Sequence, residues 1–468
     1  MWLKTTTILL LIQSILAASP FVVQLKDTTT FTEFLENSLI ASLGIKASDT
    51  SSTIEIGNFK AYVADFEDNL VTQLLESPLI NDVFPNAKFN IFDTTTLSQA
   101  VASPSSEPKD DDDSDTEEDG VQVQNNAPRH LARLSSRDGL FLQKEPFKYT
   151  YDTTGEGVVA YVIDTGIAIE HPELEGRAKR GANFVSNESD GDNAGHGTHV
   201  SGLIGSKTYG VAKDVTLVEV KVLDKDGSGS LDTILRGIEW AFKDQKKNGS
   251  KAVANLSLGS YFSGPINDAV NEAVKGGLAV VVAAGNSNQD AQLFSPASAE
   301  LVVTVGALDD RTDTIATFSN YGSKVDVFAS GVDVDSLNIN DFKNPVKFSG
   351  TSMASPIVAG LAATLLEKGV LPGDLQEKII TLSTKGAISN GTLKSIKYRN
   401  TPNRVAFNGV NKNAASGAGS TVTQPSNKDQ DQTLNKYINT LESLKPTDQF
   451  TKDLVQRSAK NRGVDLSF

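Results

Sequence analysis

Between positions 157 and 308 short apolar runs alternate with amphipathic stretches. Residues 158–163, 217–223, 252–258, 278–284 and 300–305 are strand-like, while 196–205, 231–246 and 266–275 carry apolar residues at helical spacing. Such alternation predicts an α/β fold, a mostly parallel sheet with helices on both faces. Active groups in these folds gather at the carboxyl ends of strands. Asp164 follows the first strand-like run, and Asn286 lies just beyond the fourth. Further on, residues 356–366 are too uniformly apolar for a surface helix and predict a buried one. Ser352 stands at its amino-terminal end, as a simple N-cap or where backbone N–H groups and the helix dipole favour developing negative charge.

The flanks are patterned differently. Residues 21–25 and 58–66 are strand-like, 31–40 and 70–75 helical, and a last strand-like run follows Pro78 to Phe92. Two helices on a small antiparallel sheet form an α+β unit that by itself says nothing of function. Ahead of it, residues 1–19 hold Lys4, the apolar Ile8-Leu9-Leu10-Leu11-Ile12 and the small Ala17-Ala18-Ser19, the layout of a secretory signal peptide. That run is too short for a bilayer and no other stretch is long enough, so no membrane span is expected. Residues 103–120, rich in Pro, Ser and acids, cannot bury enough apolar surface to order themselves and predict an exposed linker. Beyond about Asn408 the chain turns to Gly, Ser, Asn, Thr and Gln, then to a charged, helical tail over 434–461 that has the character of an appendage.

At 468 residues the chain is long for one domain, so several units and linkers are expected. Its formal charge of −15 is concentrated in positions 107–119, where nine acids face Lys109 alone. The remainder is mildly acidic, which argues against nucleic acid as a partner. The absence of cysteine excludes disulfides, thiol nucleophiles and thiolate metal sites. Acid–base chemistry near neutrality must therefore draw on His130, His171, His196 and His199.

A serine hydroxyl becomes a competent nucleophile when a base takes its proton and a third group holds that base. His196 is flanked by glycines, and Asp164 ends a strand predicted to be buried. Their order with Ser352 is Asp, His, Ser. An α/β-hydrolase needs its histidine after the nucleophile, and Ala354 replaces the second glycine of a nucleophile elbow. The chymotrypsin order is also excluded, and the subtilisin order fits.

Asp164-Thr165-Gly166, Gly195-His196-Gly197-Thr198-His199 and Gly350-Thr351-Ser352-Met353-Ala354 resemble the three signature motifs of the subtilisin-like serine proteases. Ser257-Leu258-Gly259 and Ala283-Ala284-Gly285-Asn286 accompany them, and residues 127–409 most resemble the proteinase K and cerevisin branch of fungi. The resemblance implies Ser352 as nucleophile, His196 as base and then acid, Asp164 as its orienter, and Asn286 as an oxyanion donor. It also implies Ser257, Leu258, Gly259, Ala283, Ala284 and Gly285 as walls of the pocket for the residue before the scissile bond. Gly227, Ser228 and Gly229 would form the edge that pairs with extended substrate.

On the same grounds residues 20–93 resemble a ferredoxin-like inhibitory prodomain, joined by a disordered acidic linker, 94–126, to a catalytic domain at 127–409 and an extension at 410–468. The implied activity is broad hydrolysis of proteins and peptides by a monomer that is inhibited by its own prodomain and reaches the vacuole or the medium through the secretory pathway. A catalytically idle binding protein on the same fold is the competing class. No metal site or cofactor is expected. Structural calcium is possible, with Asp326 as a candidate ligand, but one carboxylate does not make a site. His199 is expected to be structural and His171, before Pro172, a turn residue. Val200 stands where many fungal members carry cysteine. Asn187, Asn248 and Asn390 open sequons in expected loops, whereas the Asn255 sequon falls in an inaccessible strand.

Overall fold

The structure, a computed structural model, describes residues 19–42, 53–91, 116–117, 120–143, 145–410, 445–446 and 448–466. The expected signal peptide apart from Ser19, which opens the first strand, most of the acidic linker and the polar part of the C-terminal extension lie outside these residues.

A central sheet runs in the order Ala178–Asn183, Thr216–Lys221, Val158–Asp164, Lys251–Leu256, Ala279–Ala283, Val303–Asp309, Val327–Ser330, Arg404–Val405, Thr384–Lys385. Successive pairs are parallel up to the last, which is antiparallel, and Thr314–Ile315 adds an antiparallel pair to Val303–Asp309. The chain passes from strands on one side of Val158–Asp164 to Lys251–Leu256 on the other, so the winding reverses there, the kind of switch point at whose carboxyl ends active groups gather. On one face, helices His196–Gly205 and Thr351–Glu367 share a core with Val158, Ala160 and Val162. On the other, helices Leu231–Asn248 and Gly264–Lys275 cover Tyr161 and Ile163. The helix Thr351–Glu367 is buried from Thr351 through Leu366, as its uniform apolarity requires.

The N-terminal unit is a four-stranded antiparallel sheet ordered Thr53–Ile56, Phe59–Phe66, Ser19–Leu25, Ile80–Pro85. The expected helix over 31–40 is two, Phe31–Glu36 and Ser38–Ser42, because Asn37 is extended and its side chain accepts from the Leu39 N–H. The expected strand to Phe92 also divides at Asn86-Ala87: Ile80–Pro85 stays in this sheet and Lys88–Ile91 leaves it. Residues 121–126, expected in the disordered linker, form with Ala127 a strand antiparallel to Phe147–Tyr151, in which Val123 and Ala127 are buried. The tail is no appendage either: helix Gln449–Asn461 packs on the Ile80–Pro85 strand, with Leu454 inside the N-terminal core.

Candidate active site

Asp164 is the last residue of the central strand, and His196 is the first of its helix, following Gly195 at φ 91°. Glycine is what permits these backbones to meet. A Cβ on Gly197 would stand 2.2 Å from the Gly166 carbonyl oxygen, and one on Gly166 would stand 2.2 Å from that of Gly191. His196 Nδ1 thus reaches Asp164 Oδ1 at 2.7 Å, and that oxygen also accepts from the Thr165 N–H at 2.7 Å. A carboxylate oxygen can only accept from the ring, so Nδ1 carries a proton, and in the neutral imidazole Nε2 is then the acceptor.

Ser352 is the second residue of its helix, and Gly350 is the N-cap, so the capping alternative for the serine does not hold. Its Oγ donates to the Ser257 carbonyl at 3.1 Å. Pro356, inside the helix, has no N–H for the Ser352 carbonyl four residues back. The Ser257 hydroxyl supplies the missing donor at 2.9 Å. Asn255 Nδ2 in turn donates to Ser257 Oγ at 2.9 Å, and Asn255 Oδ1 accepts from Ser355 Oγ at 2.7 Å. The Asn255 sequon is therefore buried in this network.

Asn286 follows the Ala279–Ala283 strand, and its Oδ1 accepts from the Thr351 N–H at 2.9 Å and the Thr351 hydroxyl at 2.8 Å. With the oxygen so engaged, the amide N–H end faces away from Thr351. The Thr351 hydroxyl also accepts from the Gly285 N–H at 3.0 Å, tying this loop to the serine helix. Ala283, Ala284 and Gly285 lie beside Ser257, Leu258 and Gly259 because their strands are neighbours in register, Leu256 opposite Val282.

Gly227, Ser228 and Gly229, expected to pair with extended substrate, here pair with a strand of the same chain. Lys88–Ile91 lies between Ser228–Ser230 and Leu258–Tyr261, antiparallel to both, with Gly229 opposite Phe89 and Leu258 opposite Ile91. The Ile91 N–H donates to the Gly227 carbonyl at 3.0 Å, and Ser228 Oγ to Asn90 Oδ1 at 2.7 Å. Asn86 Oδ1 accepts from the Asp232 N–H at 2.8 Å, in the first turn of helix Leu231–Asn248.

Sequence reasoning missed several supports. Asp192 accepts from Thr165 Oγ1 and the Ala194 and Gly195 N–H groups on one oxygen, and from the Thr198 N–H and hydroxyl on the other, at 2.7–3.0 Å. An aspartate just before a helix start was the available signal. Asn320 accepts from the Ser287 and Gln289 N–H groups and donates to the Ala284 carbonyl, bracing the Asn286 loop from a distant segment with no local signal.

Among the remaining groups, His199 Nε2 donates to the carbonyls of Val334 and Val346 at 3.1 Å, and its ring stacks on Phe348. Burial pushes its pKa down to about 3. His171 Nδ1 accepts from the Glu173 N–H ahead of a short helical turn. Asp326 spends its oxygens on the Thr304 N–H and Gln376.

An aspartate, a histidine and a serine thus stand at helix and strand ends of a doubly wound sheet, the first two hydrogen-bonded to each other and the serine to the Ser257 carbonyl, a set of groups of the class found in serine hydrolases. Residues 155–431 match Peptidase S8, the subtilase family. Subtilase-type proteinase RRT12 of Saccharomyces cerevisiae is 42% identical over 410 residues, covering 84% of this chain and 83% of that protein. Subtilisin-like serine protease Rho m 2.0101 of Rhodotorula mucilaginosa is 44% identical over 62% of this chain and 88% of its own. Subtilisin-like protease 2 of Pseudogymnoascus destructans is 49% identical, but the match spans only 63% of that protein and 53% of this chain. The crystal structure of a cold-adapted subtilisin-like serine proteinase superposes with a TM-score of 0.54 at 38% identity, covering 60% of this chain and 98% of that one. The chain belongs to the subtilase family and is a serine endopeptidase.

Proposed function

We propose that the protein is made as a self-inhibited precursor in which Asp164, His196 and Ser352 hydrolyse peptide bonds by acyl transfer. The Ser352 hydroxyl turns from the Ser257 carbonyl to His196 Nε2, gives up its proton and attacks the scissile carbonyl. Asp164 holds the imidazole and balances the charge it acquires. The Ser352 N–H and the Asn286 amide donate to the oxyanion. His196 then protonates the departing amine, and water repeats the sequence on the ester. The observation that carries this reading is the 2.7 Å contact of His196 Nδ1 with Asp164, which leaves Nε2 basic.

Residues 20–93 act as the inhibitor, and their last strand occupies the edge that extended substrate would use. Release follows cleavage between Phe92 and Ala127, a stretch that includes the acidic segment. The small, uncharged walls at 257–259 and 283–285 favour an apolar or aromatic residue before the scissile bond, and a peptide-library profile dominated by Lys or Arg would refute that. The apolar leader directs the precursor into the secretory pathway, to the vacuole or the medium, which fractionation of the host distinguishes. Incubated alone, purified precursor should shorten while Ser352→Ala should not; equal shortening of both in the absence of other proteases would remove Ser352 from its role.

A further inference from the structure

The C-terminal helix meets two bodies at once. Asp448 caps it by accepting from the Thr451 N–H at 2.8 Å, and Leu454, Val455, Ser458 and Ala459 form its buried stripe. Leu454 enters the N-terminal core, whereas Val455 enters the core that Val22, Ile54, Phe59 and Phe84 of the N-terminal unit share with the central sheet and its outer helices. The polar contacts divide in the same way. Ser458 Oγ donates to Asp82 Oδ2 at 2.5 Å, and Arg462 Nη1 reaches the same oxygen at 2.8 Å. Arg462 Nη2 donates to Gln24 Oε1 at 2.9 Å and, across the junction, to Asp268 Oδ2 at 2.7 Å on helix Gly264–Lys275. Gln24 Nε2 completes the set, donating to Asp268 Oδ2 at 2.9 Å.

One guanidinium therefore joins carboxylates from two different units, and the protease unit is shaped to admit it. A Cβ on Gly264 would stand 2.3 Å from Arg462 Cζ and 2.6 Å from Ser458 Oγ. The side chain of Asp82 is 2% exposed and that of Arg462 18%, so these charges are largely withdrawn from water, where a charge-assisted bond is strong.

We propose that residues 448–466 are a clamp that holds the N-terminal unit on the protease unit and so keeps Lys88–Ile91 in the substrate edge. The proposal rests on the inhibitory role of the N-terminal unit given above. The start of the clamp abuts the strand it secures, since Asp448, Thr451 and Val455 line one pocket with Ala87, Lys88 and Tyr261, and so it slows dissociation. Once the linker is cut, the inhibitor is retained by three surfaces: the edge pairing, the contact with helices Leu231–Asn248 and Gly264–Lys275, and the tail.

The test uses the full-length chain after self-processing. The readouts are the lag before a chromogenic peptide is hydrolysed and the time for which the N-terminal fragment co-elutes with the protease. Arg462→Ala should shorten both by about tenfold or more, as loss of a paired, partly buried charge requires, with final kcat unchanged. Asp268→Asn, which keeps the tail and its bonds to Asp82, should act in the same direction, and the double variant should release little faster than Arg462→Ala alone. If Arg462→Ala does not accumulate as folded protein, Asp268→Asn still reads the junction. Unchanged lag and retention in these variants, with the wild-type fragment still inhibitory, would overturn the clamp. A wild-type chain with no lag and no retained fragment would instead overturn the inhibitory role itself.

Discussion

Asp192→Asn tests how the site is held, because one carboxylate there receives five donors. Oδ1 binds the Thr165 hydroxyl and two backbone N–H groups, and Oδ2 binds the Thr198 N–H and hydroxyl. An asparagine must set its own NH2 against one of these groups of donors. The better orientation puts it where Oδ2 was, facing the Thr198 N–H, with the Thr198 hydroxyl turned round to accept. At least one backbone donor then loses its acceptor, the rest lose the charge assistance, and the helix carrying His196 loses a negative charge at its positive end. Hydrogen bonds to charged groups contribute about 1.5–3 kcal/mol each, and the site is only half-buried, so the expected loss is about 2–4 kcal/mol. Urea unfolding of Asp192→Asn in the Ser352→Ala background, which prevents self-digestion, measures it. In active enzyme kcat should fall by about 10²-fold if the imidazole shifts by about 1 Å, with KM nearly unchanged because the substrate edge is separate. A stability loss below about 0.5 kcal/mol with unaltered kcat would show that Asp192 does not position His196.

Asn286→Ala should lower kcat by about 10²–10³-fold, the effect of removing such a donor in a subtilisin, with little change in KM; a change confined to KM would refute the oxyanion role. Gly197→Ala should destabilise the fold by about 1–3 kcal/mol and reduce hydrolysis, since its Cβ meets backbone at 2.2 Å, and normal melting with full activity would refute the need for close approach. Burial holds His130 near pKa 4 and His199 near 3. Both lie below the unfolded value of about 6.5, so their stabilisation is whole above that pH and is lost as pH falls toward 4, by up to about 1.4 kcal/mol per pH unit each. Asp310 and Asp326, raised by burial to about 6, act oppositely, giving a contribution present at low pH and lost as pH rises through 6. The unfolding free energy of the Ser352→Ala chain should therefore drop just below pH 6.5 and flatten below 6; His130→Gln, whose amide can still reach the Tyr209 carbonyl, should weaken the drop, and an identical profile would refute the assignment.

What could be read from sequence was whatever local chemistry imposes. Buried strands such as Val158–Asp164 must be apolar throughout, and the candidate catalytic groups are marked by Gly166 and Gly197, where backbones must touch, and by Gly195, whose φ of 91° favours glycine. The strand Ala178–Asn183 escaped notice because it lies at the sheet edge, with Lys179 and Arg180 exposed and no apolar run to mark it. The run from Pro78 to Phe92 reads as one strand for a different reason: apolar alternation says that a segment extends, not which sheet it joins. Its break at Asn86-Ala87 sends Lys88–Ile91 to partners some 140 and 170 residues onward, at Ser228 and Leu258. The tail was misjudged in the same way. Its charges resemble a solvated surface until Arg462 is set against Asp82, 380 positions earlier, and Asp268, 194 earlier. The chemistry of this chain is thus written in short motifs, whereas its restraint depends on pairings whose partners no sequence window contains. It follows that substitutions at Arg462, Asp82 or Asp268, outside every motif, should alter when the enzyme becomes active and leave what it does unchanged.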